Sequence, residues 1–175
     1  MAGFLRRRTR HERAAFQLYG AAVAAARDPY LYATLGVPDT LDGRFDAVVL
    51  HVYLVIRRLN AETELAQGVF DAMFLDMDIN LREMGVGDMS VGRRNRAMWE
   101  AFHGRSAAYA AVWDDSAALE AAFARNVWRG VEPLSGAPSA IVRLARAQAA
   151  HLAEQELEAM RAGSVSFLPA EKAAQ

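Results

Sequence analysis

Along this chain apolar residues recur at helical rather than alternating spacing, and glycine and proline cut the pattern into segments. Thr9 with Glu12 forms a capping box for a helix over 9–27, with Phe16, Tyr19 and Val23 as its apolar stripe and Asp28-Pro29 as its stop. Residues 28–43, punctuated by Pro29, Gly36, Pro38 and Gly43, read as an ordered connector in which YLYATL adds a helical turn. Thr40 or Asp42 caps a second helix over 44–60. Its run AVVLHVYLVI would also suit a buried strand, and length favours helix.

A third helix is predicted over 62–84, with Gly85 as a left-handed C-cap. Phe70, Phe74, Met77, Leu81 and Met84 are spaced 4, 3, 4 and 3 and share one face, while Ala72, Leu75 and Ile79 lie opposite. Being apolar front and back, this helix is expected to be the central one. A fourth is capped by Asp88 or Ser90 and ends at His103 before Gly104, with Val91, Met98 and Phe102 inward. Helices over 106–113 and 116–129 follow, and a long one starts at Pro138 or Ser139 and runs to Arg161. These segments predict an all-α fold, a single-domain bundle of about six to seven helices over 9–163. Residues 1–8 are expected to be a basic flexible N-terminus and residues 164–175 a flexible C-terminal tail.

Composition narrows the function classes. A chain of 175 residues fits one domain, and no repeat or low-complexity linker divides it. It has no cysteine, which excludes disulfides, a thiol nucleophile and thiolate metal sites. The net charge of −1 hides an asymmetry, because Arg6, Arg7, Arg8, Arg10 and Arg13 crowd the N-terminus and leave the body acidic. With Phe4 and Leu5 ahead of them, those arginines suggest a peripheral contact with anionic membrane, each worth on the order of 1 kcal/mol, against a merely solvated terminus. No secretory signal follows, and the most apolar run is half the length a membrane span needs, so a soluble protein is expected. The basic residues lack interleaved aromatics, which argues against RNA and DNA as partners.

The densest chemistry is FLDMDINLREMGVGDMSVGRR, from Phe74 to Arg94. Asp76, Asn80 and Glu83 share one flank of the third helix, an arrangement similar to magnesium-binding acids, but no facing acidic motif completes it. Asp71, Asp78 and Arg82 form the other flank, Asp78 and Arg82 at the spacing of an intrahelical pair. Buried carboxylates need partners, and Arg93, Arg94, Arg105 and His51 are the candidates. Glu100-Ala-Phe-His103 has the Glu-x-x-His spacing of di-iron helices but occurs once, where such bundles need it twice. The GVGDMSVG glycines are no dinucleotide fingerprint, and no nucleophile-base set or phosphate loop appears. The residues alone therefore leave two classes open: a binding protein, and a small helical ligand-binding or metal-dependent enzyme using the acidic flanks.

Three blocks together resemble the ubiquinol-cytochrome c chaperone family, assembly factors of the cytochrome bc1 complex. They are Tyr19 with Asp28-Pro29; LGVPDTLDGRFD with Leu50-His51; and Phe70 through Arg105, including AFHGR. The likeness spans most of 15–110, and departs from the family at Gly92, where proline is common, and at His103, where tyrosine is common. It implies a non-enzymatic chaperone without cofactor or metal, binding newly made cytochrome b or a bc1 assembly intermediate. Relatives in mitochondria work with a small partner subunit near the ribosomal exit. The long mitochondrial extension is absent, so the resemblance implies a bacterial, cytoplasmic member, peripheral at the inner membrane. On this reading Asp76, Asp78, Arg82 and Glu83 lock the central helix, and Arg93, Arg94 and Arg96 form a partner-binding edge beside it.

Overall fold

The computed structural model describes residues 2–175, with side chains from His11 onward. Among the described residues there is no strand and there are nine helical segments: α1 (Ala2–Ala26), α2 (Pro29–Ala33), α3 (Leu41–Arg58), α4 (Thr63–Glu83), α5 (Asp88–Ala111), α6 (Ser116–Val127), α7 (Ala137–Glu154), α8 (Leu157–Arg161) and α9 (Ala170–Ala173). The six long ones form the all-α bundle that the periodicity predicts; α2, α8 and α9 are single-turn connectors.

The centre is α3, not the helix over 62–84. Every residue from Phe45 to Val55 is buried, and α3 touches α1, α4, α5, α6 and α7. A helix apolar on all sides is stable only when surrounded, and AVVLHVYLVI is such a stretch. Thr40 starts it, its hydroxyl accepting from the Gly43 amide at 3.1 Å. Gly43 is required there because a Cβ would collide with the Pro38 carbonyl oxygen. On α4 only one side packs inward, through Leu65, Val69, Ala72 and Met73, while Leu75 and Ile79 remain 50% and 46% exposed.

Register follows from a few contacts. His11 lies near Glu64, Ala15 faces Gly68 and the Tyr19 hydroxyl bonds Asp76, so α1 and α4 run parallel. On α1 the buried positions among the residues with described side chains are Ala14, Ala15, Leu18, Tyr19, Ala22 and Ala26, whereas Phe16, expected in the stripe, is 45% exposed. Small residues let the two helices approach closely, which a stripe of aromatics would prevent. Helices α4 and α5 form an antiparallel hairpin, with Arg82 to Asp88, Asn95 to Asp78 and Phe70 against Phe102. Its turn is a Schellman motif: Val86 donates to the Leu81 carbonyl, Gly85 to that of Arg82, and Gly85 takes φ +78° as the sequence predicts. Helices α6 and α7 are also antiparallel, joined by Ser139 to Glu120 and Arg146 to Ser116.

Several boundaries differ from expectation. α1 begins at Ala2 and passes through the Thr9–Glu12 box, because the intervening residues are good helix formers. The expectations for Phe4, Leu5, Arg6, Arg7, Arg8 and Arg10 concern side chains outside the described residues, and Arg13 is exposed. Gly104 does not end its helix: α5 continues to Ala111, because Phe102 and Tyr109 on either side are both in the core and outweigh the ~1 kcal/mol propensity cost of glycine. The last long helix breaks at Gln155, where Arg58 reaches across to donate to the Leu152 and Gln155 carbonyls at 2.8 and 2.7 Å. The tail over 164–175 is packed rather than loose. Buried Gln148 brackets Leu168 with two hydrogen bonds, Asp28 accepts from the Ala170 amide, Arg143 holds the Ala174 carbonyl, and Ala170, Ala173 and Ala174 are in the core.

His51 is wholly buried in α3, with its Nδ1 2.8 Å from the Ala47 carbonyl and its ring against Phe167. Burial lowers its pKa from the ordinary 6.5. The unfolded chain therefore binds the His51 proton more readily, and this contribution to stability is complete above pH 6.5 and lost as pH falls below it. Melting temperature should be flat between pH 7 and 8 and decline toward pH 5.5, with a shallower decline in His51→Gln, as measured by thermal circular dichroism.

Candidate docking groove

An open groove of about 1160 Å³ runs between α1, α2, the start of α3, the second half of α4 and α5. Its floor is apolar, with Val23, Phe45, Val48, Met77, Leu81 and Met98. The rim is charged and mostly self-paired. Arg44 donates to Asp39 at 2.6 Å, and Arg129 reaches Asp42 at 3.2 Å. The Tyr19 hydroxyl donates to Asp76 at 2.7 Å, and burial together with that carboxylate pushes the Tyr19 pKa up. The side chains of two rim cations, Arg27 and Arg94, have no hydrogen-bond or ion-pair partner among the described residues.

The acidic and basic residues singled out in the sequence divide into two groups. Asp76 and Arg94 line the groove together. Asp78 and Arg82 lie outside it, in an ion-pair cluster where Arg82 bonds Asp78 at 2.6 Å and Asp88 at 2.5 Å, and Asn95 bonds Asp78 at 2.8 Å. The Arg82 hydrogen bond holds the Asp78 carboxyl below its usual range. Arg93 points to the Ser90 hydroxyl and Arg96 to Glu100, both at the surface, and Glu83 is exposed at the end of α4. His51 and Arg105 are not partners of this acidic helix: His51 is enclosed in the core, and Arg105 serves a different carboxylate. Of the magnesium-like flank, Asp76 is engaged by Tyr19 and the Asn80 amide donates to the Asp76 carbonyl. His103 of the Glu-x-x-His pair packs at a tilt against Trp99, with ring centres 4.1 Å apart, while Glu100 pairs with Arg96.

The strongest electrostatic feature was not singled out in the sequence. Asp46 is fully buried in α3 and is gripped by two arginines: Arg105 of α5 at 2.9 Å, and Arg129, just past α6, through two bonds at 2.5 and 3.0 Å. Burial pushes its carboxyl pKa up, opposed by the Arg129 hydrogen bond and the two positive charges. The signal was present: an aspartate one residue after Phe45 and directly before an apolar run must be paired if that run is core. Arg129 holds a left-handed φ of 47°, unusual outside glycine, and from there reaches Asp46 and the groove rim at once. Removing one partner of such a buried pair costs about 3–5 kcal/mol. Asp46→Asn should therefore lose stability of that order in urea unfolding, and Arg105→Met combined with it should lose less than the sum of the two single changes.

The pattern of the family described as ubiquinol-cytochrome C chaperone matches residues 33–167. No curated protein matches the chain. A solved structure, the crystal structure of the Cbp3 homolog from Brucella abortus, superposes with a TM-score of 0.83 at 34% identity, covering 97% of this chain and 96% of that one. The match takes in the Thr40–Gly43 cap, the Asp46 grip and the whole α4–α5 hairpin, along with most of the groove wall. By sequence pattern and by fold, the chain belongs to the ubiquinol-cytochrome c chaperone family.

Proposed function

We propose that this chain is a non-enzymatic assembly chaperone for the cytochrome bc1 complex and that its groove seats a segment of newly made cytochrome b. One observation carries the choice of site: an apolar floor containing Met77 and Met98 lies beneath two rim arginines, Arg27 and Arg94, that nothing in the chain neutralises among the described residues. Methionine is flexible and polarisable, which suits a surface that receives a client before its final packing exists. Arginine makes paired, charge-assisted hydrogen bonds to carboxylates, so the two rim cations fit acidic groups flanking an apolar client segment. A groove of this kind takes an amphipathic segment along its length.

The acidic helix supports the same reading. Asp78 is held by Arg82 and Asn95, and Asp76 by Tyr19, which leaves little of either carboxylate for a metal. Among the described residues no helix is long and apolar enough to cross a membrane. In this reading the chaperone meets its membrane client from the bacterial cytoplasm, at the membrane face where cytochrome b is inserted.

Arg94→Glu or Arg27→Glu should lower co-purified cytochrome b about tenfold, the effect of one charge-assisted hydrogen bond, while Arg93→Glu leaves capture unchanged because Arg93 lies outside the groove. Melting temperature should stay at the wild-type value in all three. Unchanged cytochrome b in membranes of a deletion strain under respiratory growth would overturn the chaperone role, whereas intact capture by Arg94→Glu together with Arg27→Glu would overturn only the choice of groove.

A further inference from the structure

The docking groove carries a chemistry that its charges do not use. The chain has no cysteine, so methionine is its only sulfur. Six methionines have described side chains, and they fall into two sets. Met73 and Met160 are wholly buried in the core. The other four all belong to the α4–α5 hairpin, where Met84 is 51% exposed, Met89 is 93% exposed, and Met77 and Met98 are partly buried. Met77, Met84 and Met98 line the groove, and Met89 is not part of its lining. Met77, Leu81 and Met84, spaced four and three, run along one side of α4 and its cap, and Met98 borders the same groove from α5. On α5, Met98 follows Arg94 by four residues, so the two side chains are neighbours on one helix face.

We propose that Met77, Met84 and Met98 are oxidation sites through which peroxide regulates docking in the groove. The inference rests on the groove being the docking site. The sulfur lone pair attacks one peroxide oxygen, and the S–O bond forms as the O–O bond breaks and water leaves. Each thioether is oxidised by two electrons and each peroxide reduced by two. Reversal takes a dithiol, which passes to a disulfide as a sulfoxide reductase releases the oxygen as water. Oxidation turns a flexible apolar side chain into a polar one, so an apolar client segment laid on this floor would bury an S=O group without a donor of its own. The sulfoxide oxygen is also an acceptor. On Met98 it is one helical turn from Arg94, whose side chain has no partner among the described residues and which the client's carboxylate would otherwise engage. Both effects weaken docking. Met73 and Met160 are closed to solvent, so the core keeps its packing while the groove changes.

Treatment of the purified full chain with hydrogen peroxide tests this, with sulfoxides located by peptide mass spectrometry and the reagent removed before capture. Met89 and Met84 should oxidise first and Met77 and Met98 after them, with Met73 and Met160 unmodified and the melting temperature unaltered. Cytochrome b captured from solubilised membranes should fall about tenfold and return after methionine sulfoxide reductase with dithiothreitol. Met89→Leu should keep both the capture and its loss. Met77→Leu, Met84→Leu and Met98→Leu combined should capture equally before and after peroxide, because leucine is close in volume and inert to the reagent. Resistance of Met84 at a dose that oxidises Met89, undiminished capture by the parent with sulfoxide at all three positions, or an equal loss in the triple variant would overturn the redox proposal and leave the groove as the docking site. No capture by the unoxidised chain would overturn both.

Discussion

The grip of Arg105 and Arg129 on the buried Asp46 carboxylate sets the terms for the rest of the molecule. It is the point at which the central helix is tied to α5 and to the segment after α6, and its partners are far apart in the chain. Hydrophobic burial alone is non-directional and would tolerate α3 rotated or shifted by a residue. A single ionised group inside the core tolerates neither, since any other register leaves a charge without its counterpart. The same guanidinium of Arg129 extends to Asp42 and borders the groove, so the site's shape is fixed by the interaction that fixes the core.

Around that point the charges have a common logic. Asp39, Asp42, Asp76, Asp78 and Asp88 each have a partner from their own chain. Two of the four arginines bordering the groove, Arg27 and Arg94, have none for their side chains among the described residues. Exposed pairs such as Arg82 with Asp78 contribute little to stability. In the proposed docking role, the pairing of the groove carboxylates Asp39, Asp42 and Asp76 keeps them from competing for Arg27 and Arg94.

Legibility in the sequence followed the range of the interaction. The turn at Gly85 and the stop at Asp28-Pro29 depend on a few neighbouring residues and are legible from them, whereas the sequence leaves Thr40 and Asp42 both open as the next cap and the structure has Thr40. Which helix is central did not, because α4 and α3 both carry apolar residues on more than one face and only the packing decides between them. The ending at Gly104 was a local signal overruled by Phe102 and Tyr109, and the break at Gln155 had no local signal at all, being made by Arg58 nearly a hundred residues earlier. Of the residues the sequence points to, Asp76 and Arg94 line the groove and Arg93 lies at the surface beside Ser90, while Arg27, which also lines the groove, carries no signal in the sequence. Neighbours on a helix point about 100° apart, so a paired-arginine motif cannot place both side chains in one groove. The family resemblance, resting on order and spacing of several blocks, was more robust than any one of its residues.

The packed C-terminal segment has a consequence for how the chain matures. Asp28 uses one carboxylate oxygen to cap α2 and the other to receive the Ala170 amide, a link between positions 142 residues apart. During synthesis the early helices leave the ribosome with that oxygen, the His51 pocket wall formed by Phe167 and the bracket on Gln148 all incomplete. Contacts between segments so far apart in the chain carry a larger loop-closure cost than local ones. A chain ending before residue 165 would lack the Phe167 wall on His51, both bonds that bracket Gln148 and one of the two bonds of Asp28.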